Sequence, residues 1–114
     1  MSTIWLIDID GTICDDIPNE TPELFATAKP ISGALQYVEN LIKRGDRVVL
    51  FTARTADYAS VTEEWLHQHD FPFEYVIYNK PRIKEGWTYH WVDNRSVRAT
   101  CVPFGLLGSK HWEK

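Results

Sequence analysis

The chain has 114 residues, of which 44% are hydrophobic and 25% charged, and a formal net charge of −4. This length suits one domain spanning residues 1–114, and the composition excludes a disordered protein. The acidic balance argues against a general nucleic-acid-binding surface, because such surfaces are usually basic. Neither a membrane-length apolar run nor a signal-peptide pattern is present, and two cysteines without metal spacing suit a reducing compartment. We therefore expect a cytoplasmic protein that does not contact a membrane.

The first half of the sequence alternates between strand and helix patterns. Residues 3–9 are apolar and β-branched almost throughout, which predicts a central strand buried on both faces. Residues 13–30 are irregular and contain three prolines, so we expect a flap or loop with no more than a short helical turn. Residues 31–44 carry one apolar stripe at helical spacing and are followed by a glycine stop, which predicts a helix.

The second half continues this alternation. Residues 46–52 predict a strand and residues 55–69 a second helix. Further strands are predicted at 73–79, 88–94 and, as a short fifth strand, 98–104, followed by a tail at 105–114. The order predicts an α/β domain built from β-α units around a mostly parallel sheet.

Polar side chains follow four of the predicted strands. In an open parallel sheet, sites form outside the carboxyl ends of the strands, which share one edge. Inside a core these groups would be costly unless a cation or a substrate completed the arrangement. The side chains concerned are Asp8, Asp10, Thr52, Arg54, Asn79, Lys80, Asp93, Asn94 and Arg95.

The stretch DIDGT at residues 8–12 resembles the DxDGT signature of haloacid dehalogenase-like (HAD) phosphatases. The resemblance continues in chain order through Thr52 in VVLFTAR, Lys80 in YNKPR, and Asp93 with Asn94 in HWVDN. It implies a three-layer Rossmann-like fold with a mostly parallel central sheet. Neither residues 13–30 nor the stretch after Thr52 is long enough for a cap domain, so a small capless member is expected.

The resemblance also implies a mechanism. Asp8 would be the nucleophile that forms an aspartyl-phosphate, and Asp10 would protonate the leaving oxygen and then activate water. Thr52 would donate to a phosphate oxygen, and Lys80 would neutralise charge on Asp8 and the phosphoryl group. Lys84 is a rival for the lysine role, because the interval between Lys80 and the next motif is short.

Mg²⁺ is the cofactor that the resemblance implies. Its ligands would be the side chains of Asp8 and Asp93 and the main-chain carbonyl of Asp10, with Asn94 bonding a metal-bound water. Family members usually carry a second acid where this chain has Asn94, so one negative charge is lost there. Four residues are predicted to bind the substrate: Gly11, Thr12, Ala53 and Arg54.

The predicted substrate is a sugar phosphate, a nucleotide or another phosphorylated metabolite. A phosphatase acting on nucleic-acid phosphate ends is an alternative, which the acidic balance does not favour. A catalytically weak HAD-fold binding or regulatory module is a second alternative, motivated by Asn94 and the small size. The open site also leaves room for a homo-oligomer in which another subunit shields it.

Overall fold

A computed structural model describes residues 2–109 and shows a parallel sheet of three strands. The strands are β1 (Ile4–Ile7), β2 (Arg47–Phe51) and β3 (Val76–Ile77), and their spatial order is β1-β2-β3. Ile4 pairs with Arg47, and Leu50 pairs with Val76. Each strand therefore lies beside the next one in the chain, as expected for consecutive β-α-β units.

Two α-helices connect the strands. Helix α1 (Ala34–Lys43) joins β1 to β2, and helix α2 (Ala59–Gln68), preceded by a 3-10 turn at Ala56–Tyr58, joins β2 to β3. Both predicted helices are confirmed, but each is shorter than its predicted range. Their buried residues lie on one stripe of each helix: Ala34, Val38 and Leu41 on α1, and Thr62, Trp65 and Leu66 on α2.

The segment at 13–30 folds against the domain. It contains a 3-10 helix at Pro22–Thr27, whose Phe25 is completely buried and meets the ring of Tyr58 edge to face. The indole nitrogen of Trp65 on α2 donates a hydrogen bond of 2.8 Å to the carbonyl of Ala28. The predicted flap is thus anchored on α2 by packing and by a buried hydrogen bond.

The prediction that the first strand is central is wrong. Within residues 2–109, β1 pairs with β2 alone, so it is an edge strand. Ile4 and Leu6 are 56% and 41% exposed, whereas Val49 of β2 is buried. The central place belongs to β2. An apolar run shows that a strand is hydrophobic, but it does not show whether a neighbour covers both faces.

The predicted strands at 88–94 and 98–104 are not formed in the described structure. Both stretches are irregular, and Val92 is 86% exposed. An apolar run becomes a strand only where another strand edge accepts and donates its backbone hydrogen bonds, and neither stretch has such a neighbour here.

The first part of the predicted tail packs onto the domain, whereas residues 110–114 lie outside the described residues. Leu107 is buried in the core, and Gly108 lies against the backbone of Gly33, just before α1. A Cβ on Gly108 would stand 2.5 Å from the Gly33 carbonyl oxygen, so this contact requires glycine. None of the helices between residues 2 and 109 has the length and apolarity to cross a bilayer.

Candidate active site

An open cleft of about 490 Å³ lies beyond the carboxyl ends of the strands, at the sheet edge where the sequence predicts a site. Its lining combines three aspartates, one lysine, one arginine and two aromatic rings. Six predicted site residues line it: Asp8, Asp10, Gly11, Thr12, Ala53 and Lys80. The other lining residues are Asp16, Arg82, Ile83, Tyr89 and Phe104.

Asp8 follows the last residue of β1 and is partly exposed to the cleft. Its Oδ1 accepts a hydrogen bond of 2.8 Å from the backbone N–H of Ile9, and its Oδ2 lies 3.9 Å from Lys80 Nζ. Burial raises the pKa of Asp8, and the charges of Asp10 and Asp16 add to this effect, while Lys80 opposes it. A cation or an electrophile bound at Asp8 would therefore relieve the repulsion between Asp8 and the carboxylates of Asp10 and Asp16.

A tight turn carries the chain away from Asp8. Gly11 adopts φ +80, a left-handed conformation that favours glycine, and its N–H donates to the carbonyl of Cys14 at 3.0 Å. The N–H of Thr12 donates to the carbonyl of Ile9 at 3.1 Å. A Cβ at Gly11 would stand 3.2 Å from Cγ of Asp16, so a side chain at this position would press on that carboxylate.

Asp10 is paired with Arg54 through two hydrogen bonds. Arg54 Nε donates to Oδ2 at 2.9 Å, and Nη2 donates to Oδ1 at 2.7 Å. Arg54 is only 1% exposed and does not line the cleft, whereas the sequence predicts that it binds substrate. Asp10 and Phe25, which lie far away in sequence, and Thr62, which lies eight residues further on, hold the side chain inward beneath the site.

Thr52 and Ala53 follow β2 but differ in their access to the cleft. Thr52 is completely buried, and its Oγ1 accepts a hydrogen bond of 3.1 Å from the backbone N–H of Arg54. Ala53 lines the cleft, and its carbonyl accepts a hydrogen bond of 2.7 Å from the side-chain amide of Asn19 in the flap. Thr52 does not line the cleft, so its donation to a phosphate oxygen stays a prediction.

The structure distinguishes the two candidate lysines. Asn79 adopts φ +63, which asparagine tolerates, and this turn directs the chain after β3 back toward β2. The backbone N–H of Lys80 donates to the carbonyl of Thr52 at 2.9 Å, and its Nζ lies 4.9 Å from the ring centre of Tyr89. Lys84 instead places its ammonium over the ring of Trp87 at 5.6 Å. Of the two, only Lys80 lines the cleft.

Neither Asp93 nor Asn94 lines the cleft. Asp93 accepts hydrogen bonds of 3.1 Å from the indole nitrogen of Trp91 and from the backbone N–H of Arg95. Both bonds lower the pKa of Asp93, and the bond from Trp91 has the larger effect. The described arrangement therefore brings together three of the four predicted polar segments and leaves the fourth outside.

Five lining residues were not predicted as site residues. Asp16 belongs to the irregular flap, where no periodic pattern indicates which side chains face a cleft. Arg82 donates to Glu20 at 2.6 Å and so links the flap to the loop after β3. Burial and the charge of Asp8 raise the pKa of Tyr89. Four of the five lining residues follow Lys80 in the sequence, namely Arg82, Ile83, Tyr89 and Phe104. Their spacing matches no motif that would indicate a site.

The donor chemistry of the cleft fits Mg²⁺ only in part. Three carboxylates, those of Asp8, Asp10 and Asp16, line it, and Mg²⁺ commonly takes one or two carboxylates together with waters and substrate phosphate. Arg54 already occupies both oxygens of Asp10. Across residues 2–109, no group of three or more His, Cys, Asp or Glu side chains converges closely enough to hold a metal ion. Of the three lining carboxylates, Asp10 is therefore the one whose two oxygens a cation of the chain already engages.

Comparison with known proteins supports the fold. No family model and no curated protein matches the chain. A crystal structure of a structural genomics target from Vibrio cholerae is similar, with a TM-score of 0.63 and 20% sequence identity. The similarity covers 84% of this chain and 83% of that chain. It therefore concerns the α/β architecture over most of both proteins.

Proposed function

We propose that the protein is a Mg²⁺-dependent phosphatase of the HAD type, which hydrolyses phosphomonoesters through an aspartyl-phosphate on Asp8. One observation carries the proposal: Asp8, Asp10 and Lys80 line one open cleft at the carboxyl edge of a parallel sheet. A carboxylate that is partly exposed and close to an ammonium group is suited to attack phosphorus, because the cation offsets the charge of the incoming phosphoryl group.

Each cleft residue has a role in this proposal. Asp8 attacks phosphorus, and Lys80 neutralises the negative charge that gathers on the phosphoryl oxygens. Asp10 exchanges protons with the leaving group and with the attacking water. The small residues Gly11, Thr12 and Ala53 leave room for the phosphoryl group against the backbone. Direct donation from Thr52 stays a prediction, because Thr52 is buried behind the loop.

When bound, Mg²⁺ would supply positive charge to the phosphoryl oxygens and to the crowded carboxylates. Asp8 and the main-chain carbonyl of Asp10 would hold it. Asp93 and Asn94 stay predicted ligands, and they require residues 88–94 to approach the cleft. Asp16 is a further carboxylate on the same surface.

The proposal extends to a three-layer Rossmann-like fold with a mostly parallel central sheet, to which the three parallel strands and the two connecting helices would belong.

The substrate we propose is a phosphorylated small molecule, either a sugar phosphate, a nucleotide or a related metabolite. The open cleft also admits a nucleic-acid end, but the net charge of −4 offers little attraction for a polyanion. Both cysteines, Cys14 and Cys101, are free thiols, which supports a cytoplasmic location for this activity.

Hydrolysis of p-nitrophenyl phosphate and of a panel of phosphorylated metabolites tests the proposal, with Mg²⁺ present and with EDTA as the control. We expect Mg²⁺-dependent release of phosphate that Asp8→Asn abolishes. Asp70→Asn is the matched control, because it makes the same chemical change after α2, outside the cleft lining. Equal activity of Asp8→Asn and wild type would contradict the proposal.

A second function, a phosphate-binding module without turnover, is favoured by one observation. Both oxygens of Asp10 accept hydrogen bonds from Arg54, which restricts the proton transfers that turnover requires. In that case inorganic phosphate binds in the cleft and Lys80→Ala weakens this binding, while no substrate is hydrolysed with any divalent metal. Calorimetric titration combined with the hydrolysis assay separates the two functions.

A further inference from the structure

The cleft contains a group of apolar side chains that the proposed phosphatase mechanism does not use. Ile83, Tyr89 and Phe104 line it together with the aspartates and Lys80, and we call these three side chains the apolar lining. Each of them is exposed to solvent. All three follow Lys80 in the sequence, whereas the aspartates come from the end of β1 and from the flap. One cleft therefore combines a charged part with an apolar part.

Tyr89 is held close to the proposed nucleophile. Its ring centre lies 4.9 Å from Lys80 Nζ, and the same Nζ lies 3.9 Å from Oδ2 of Asp8. The hydroxyl of Tyr89 donates a hydrogen bond to the carbonyl of Pro81, so a polar contact inside the chain already engages it. A single ammonium group is thus close both to the carboxylate that would take the phosphoryl group and to an exposed aromatic ring.

The apolar lining suits a planar aromatic group of a ligand. Exposed apolar side chains that cluster around a cleft are typical of ligand-binding sites. Most of the exposed large hydrophobic side chains in residues 2–109 lie between positions 83 and 104, and those of the apolar lining border the cleft. Every nucleobase has a flat π-face that stacks on a tyrosine or phenylalanine ring. A sugar without a base offers mainly hydroxyl groups, which such side chains match poorly.

The charged part of the cleft suits one phosphate group better than several. Three aspartates line it and repel additional negative charge. Of its two cationic lining residues, Arg82 already donates to both carboxylate oxygens of Glu20, at 2.6 Å and 3.3 Å. Lys80 is the cation close to Asp8. A mononucleotide brings a single phosphate group, whereas a nucleic-acid strand brings one with every nucleotide, so the charge favours the mononucleotide.

Resting on the proposed phosphatase function, we propose that the cleft selects nucleoside monophosphates, with the phosphate at Asp8 and Lys80 and the nucleobase against Tyr89 and Phe104. The bond from phosphorus to the ester oxygen breaks as the bond to Asp8 forms, and water then takes the phosphoryl group from Asp8. Overall, water gives its hydroxyl to phosphorus and its proton to the released nucleoside oxygen. The proposal narrows the substrate from phosphorylated metabolites in general to those that carry a planar base.

The first test compares substrates that differ only in the base, on the wild-type protein with Mg²⁺. Adenosine 5′-monophosphate and uridine 5′-monophosphate are each compared with ribose 5-phosphate, which has the same phosphorylated pentose and no base. We expect kcat/KM to be about 10- to 100-fold higher for the two nucleotides, because the base stacks on the apolar lining. Equal values, or a preference for ribose 5-phosphate, would overturn the inference and leave the proposed phosphatase function standing.

Variants of the apolar lining test the cause of this preference. Tyr89→Leu stays apolar but removes the ring, and we expect it to lower the nucleotide-to-ribose ratio of kcat/KM at least about fivefold. Phe104→Leu lowers the ratio in the same direction, whereas Tyr89→Phe, which keeps the ring, preserves it. Tyr75→Leu is the matched control, because Tyr75 is also an exposed tyrosine, at 56% against 49% for Tyr89, and does not line the cleft.

Two further outcomes would overturn the inference. A nucleotide-to-ribose ratio that stays unchanged in both Tyr89→Leu and Phe104→Leu would show that the apolar lining does not bind the base. A 5′-phosphorylated oligonucleotide that is hydrolysed with a higher kcat/KM than the mononucleotide would show that the base belongs to a nucleic-acid end and not to a small molecule.

A binding measurement separates the inference from the proposed function. If no phosphate is released from any of these substrates, the proposed function is contradicted, and calorimetric titration of the same wild-type protein decides whether the cleft recognises the base. We then expect adenosine 5′-monophosphate to bind about 10- to 100-fold more tightly than ribose 5-phosphate. Equal affinity for the two compounds, or no binding of either, would overturn the inference as well.

Discussion

Lys80 Nζ lies 3.9 Å from Asp8 Oδ2, although the two residues come from the ends of different strands, β3 and β1. A turn at Asn79, which has φ +63, directs the chain after β3 toward β2. The backbone N–H of Lys80 then donates a hydrogen bond to the carbonyl of Thr52. The backbone of Lys80 is therefore held beside the residue that follows β2, the strand that lies between β1 and β3. The proposed chemistry depends on this placement.

Removal of the Lys80 ammonium should impair turnover much more than binding. We expect Lys80→Ala to lower kcat about 10²- to 10³-fold, since one preorganised cation near the transferring group is lost. Lys84→Ala is the matched control, because Lys84 lies over Trp87 and not in the cleft lining. Steady-state kinetics of both variants make the comparison, and equal losses in the two would remove Lys80 from the proposed mechanism.

Gly11→Ala should weaken both stability and activity. A side chain at φ +80 costs about 1–2 kcal/mol, and the new methyl group would press on Asp16 in the cleft. Gly86→Ala is the control, because Gly86 has φ +84 but open space around its Cβ position. Urea unfolding should show similar losses of stability in both, while only Gly11→Ala lowers activity. Unchanged activity in Gly11→Ala would show that the turn does not shape the site.

The buried indole of Trp65 should contribute to stability through packing and one hydrogen bond. In Trp65→Phe, the Ala28 carbonyl loses its donor, and we expect the free energy of unfolding to fall by about 1–3 kcal/mol. Trp87→Phe is the control, because Trp87 is 60% exposed and its change should stay within about 0.5 kcal/mol. Denaturant titration of both variants checks this, and equal stabilities would mean that the flap is not anchored through Trp65.

Asp46 should make stability depend on pH at the acid end. Hydrogen bonds from Arg44, then from Trp5 and the backbone of Thr3, lower the pKa of Asp46 to about 2. In the unfolded chain this pKa is about 3.8, so the stabilisation is present above that pH and is lost as the pH falls toward about 2. Unfolding of wild type and Asp46→Asn between these limits measures it. The difference in stability between the two proteins should shrink as the pH falls, and a constant difference would exclude a role for Asp46 ionisation.

The helices and the inner strand could be predicted from local patterns because their apolar residues recur at a regular spacing along the chain. The buried residues of α1, at Ala34, Val38 and Leu41, lie on the apolar stripe that the sequence displays. Gly33, with φ +88, delays the start of the helix beyond the predicted first residue. β2 likewise lies inside its predicted range.

The edge of the sheet could not be predicted in the same way. The apolar run that contains Ile4 and Leu6 shows hydrophobicity but not the absence of a neighbour, and the run that contains Val92 shows strand character but not a partner. Pairing of strands depends on contacts between distant segments, which single-sequence patterns do not specify.

In the site, too, the residues of a local motif could be predicted, whereas the side chain whose position depends on distant residues could not. Asp8, Asp10 and Gly11 form one local motif, and their presence in the cleft follows from the end of a strand. Arg54 follows the next strand equally closely, yet its side chain turns inward because Asp10, Thr62 and Phe25 receive it there. No feature near Arg54 in the sequence indicates these partners.

The most direct measurement is the mass of the peptide that contains Asp8, after the protein is mixed with Mg²⁺ and p-nitrophenyl phosphate and quenched in acid. The proposed mechanism predicts that this peptide gains one phosphoryl group on Asp8 during turnover, that the group disappears when substrate is exhausted, and that Asp8→Asn never acquires it. Phosphate release by wild-type protein with no phosphoryl group on Asp8 at any time, or with the group on another residue, would contradict it.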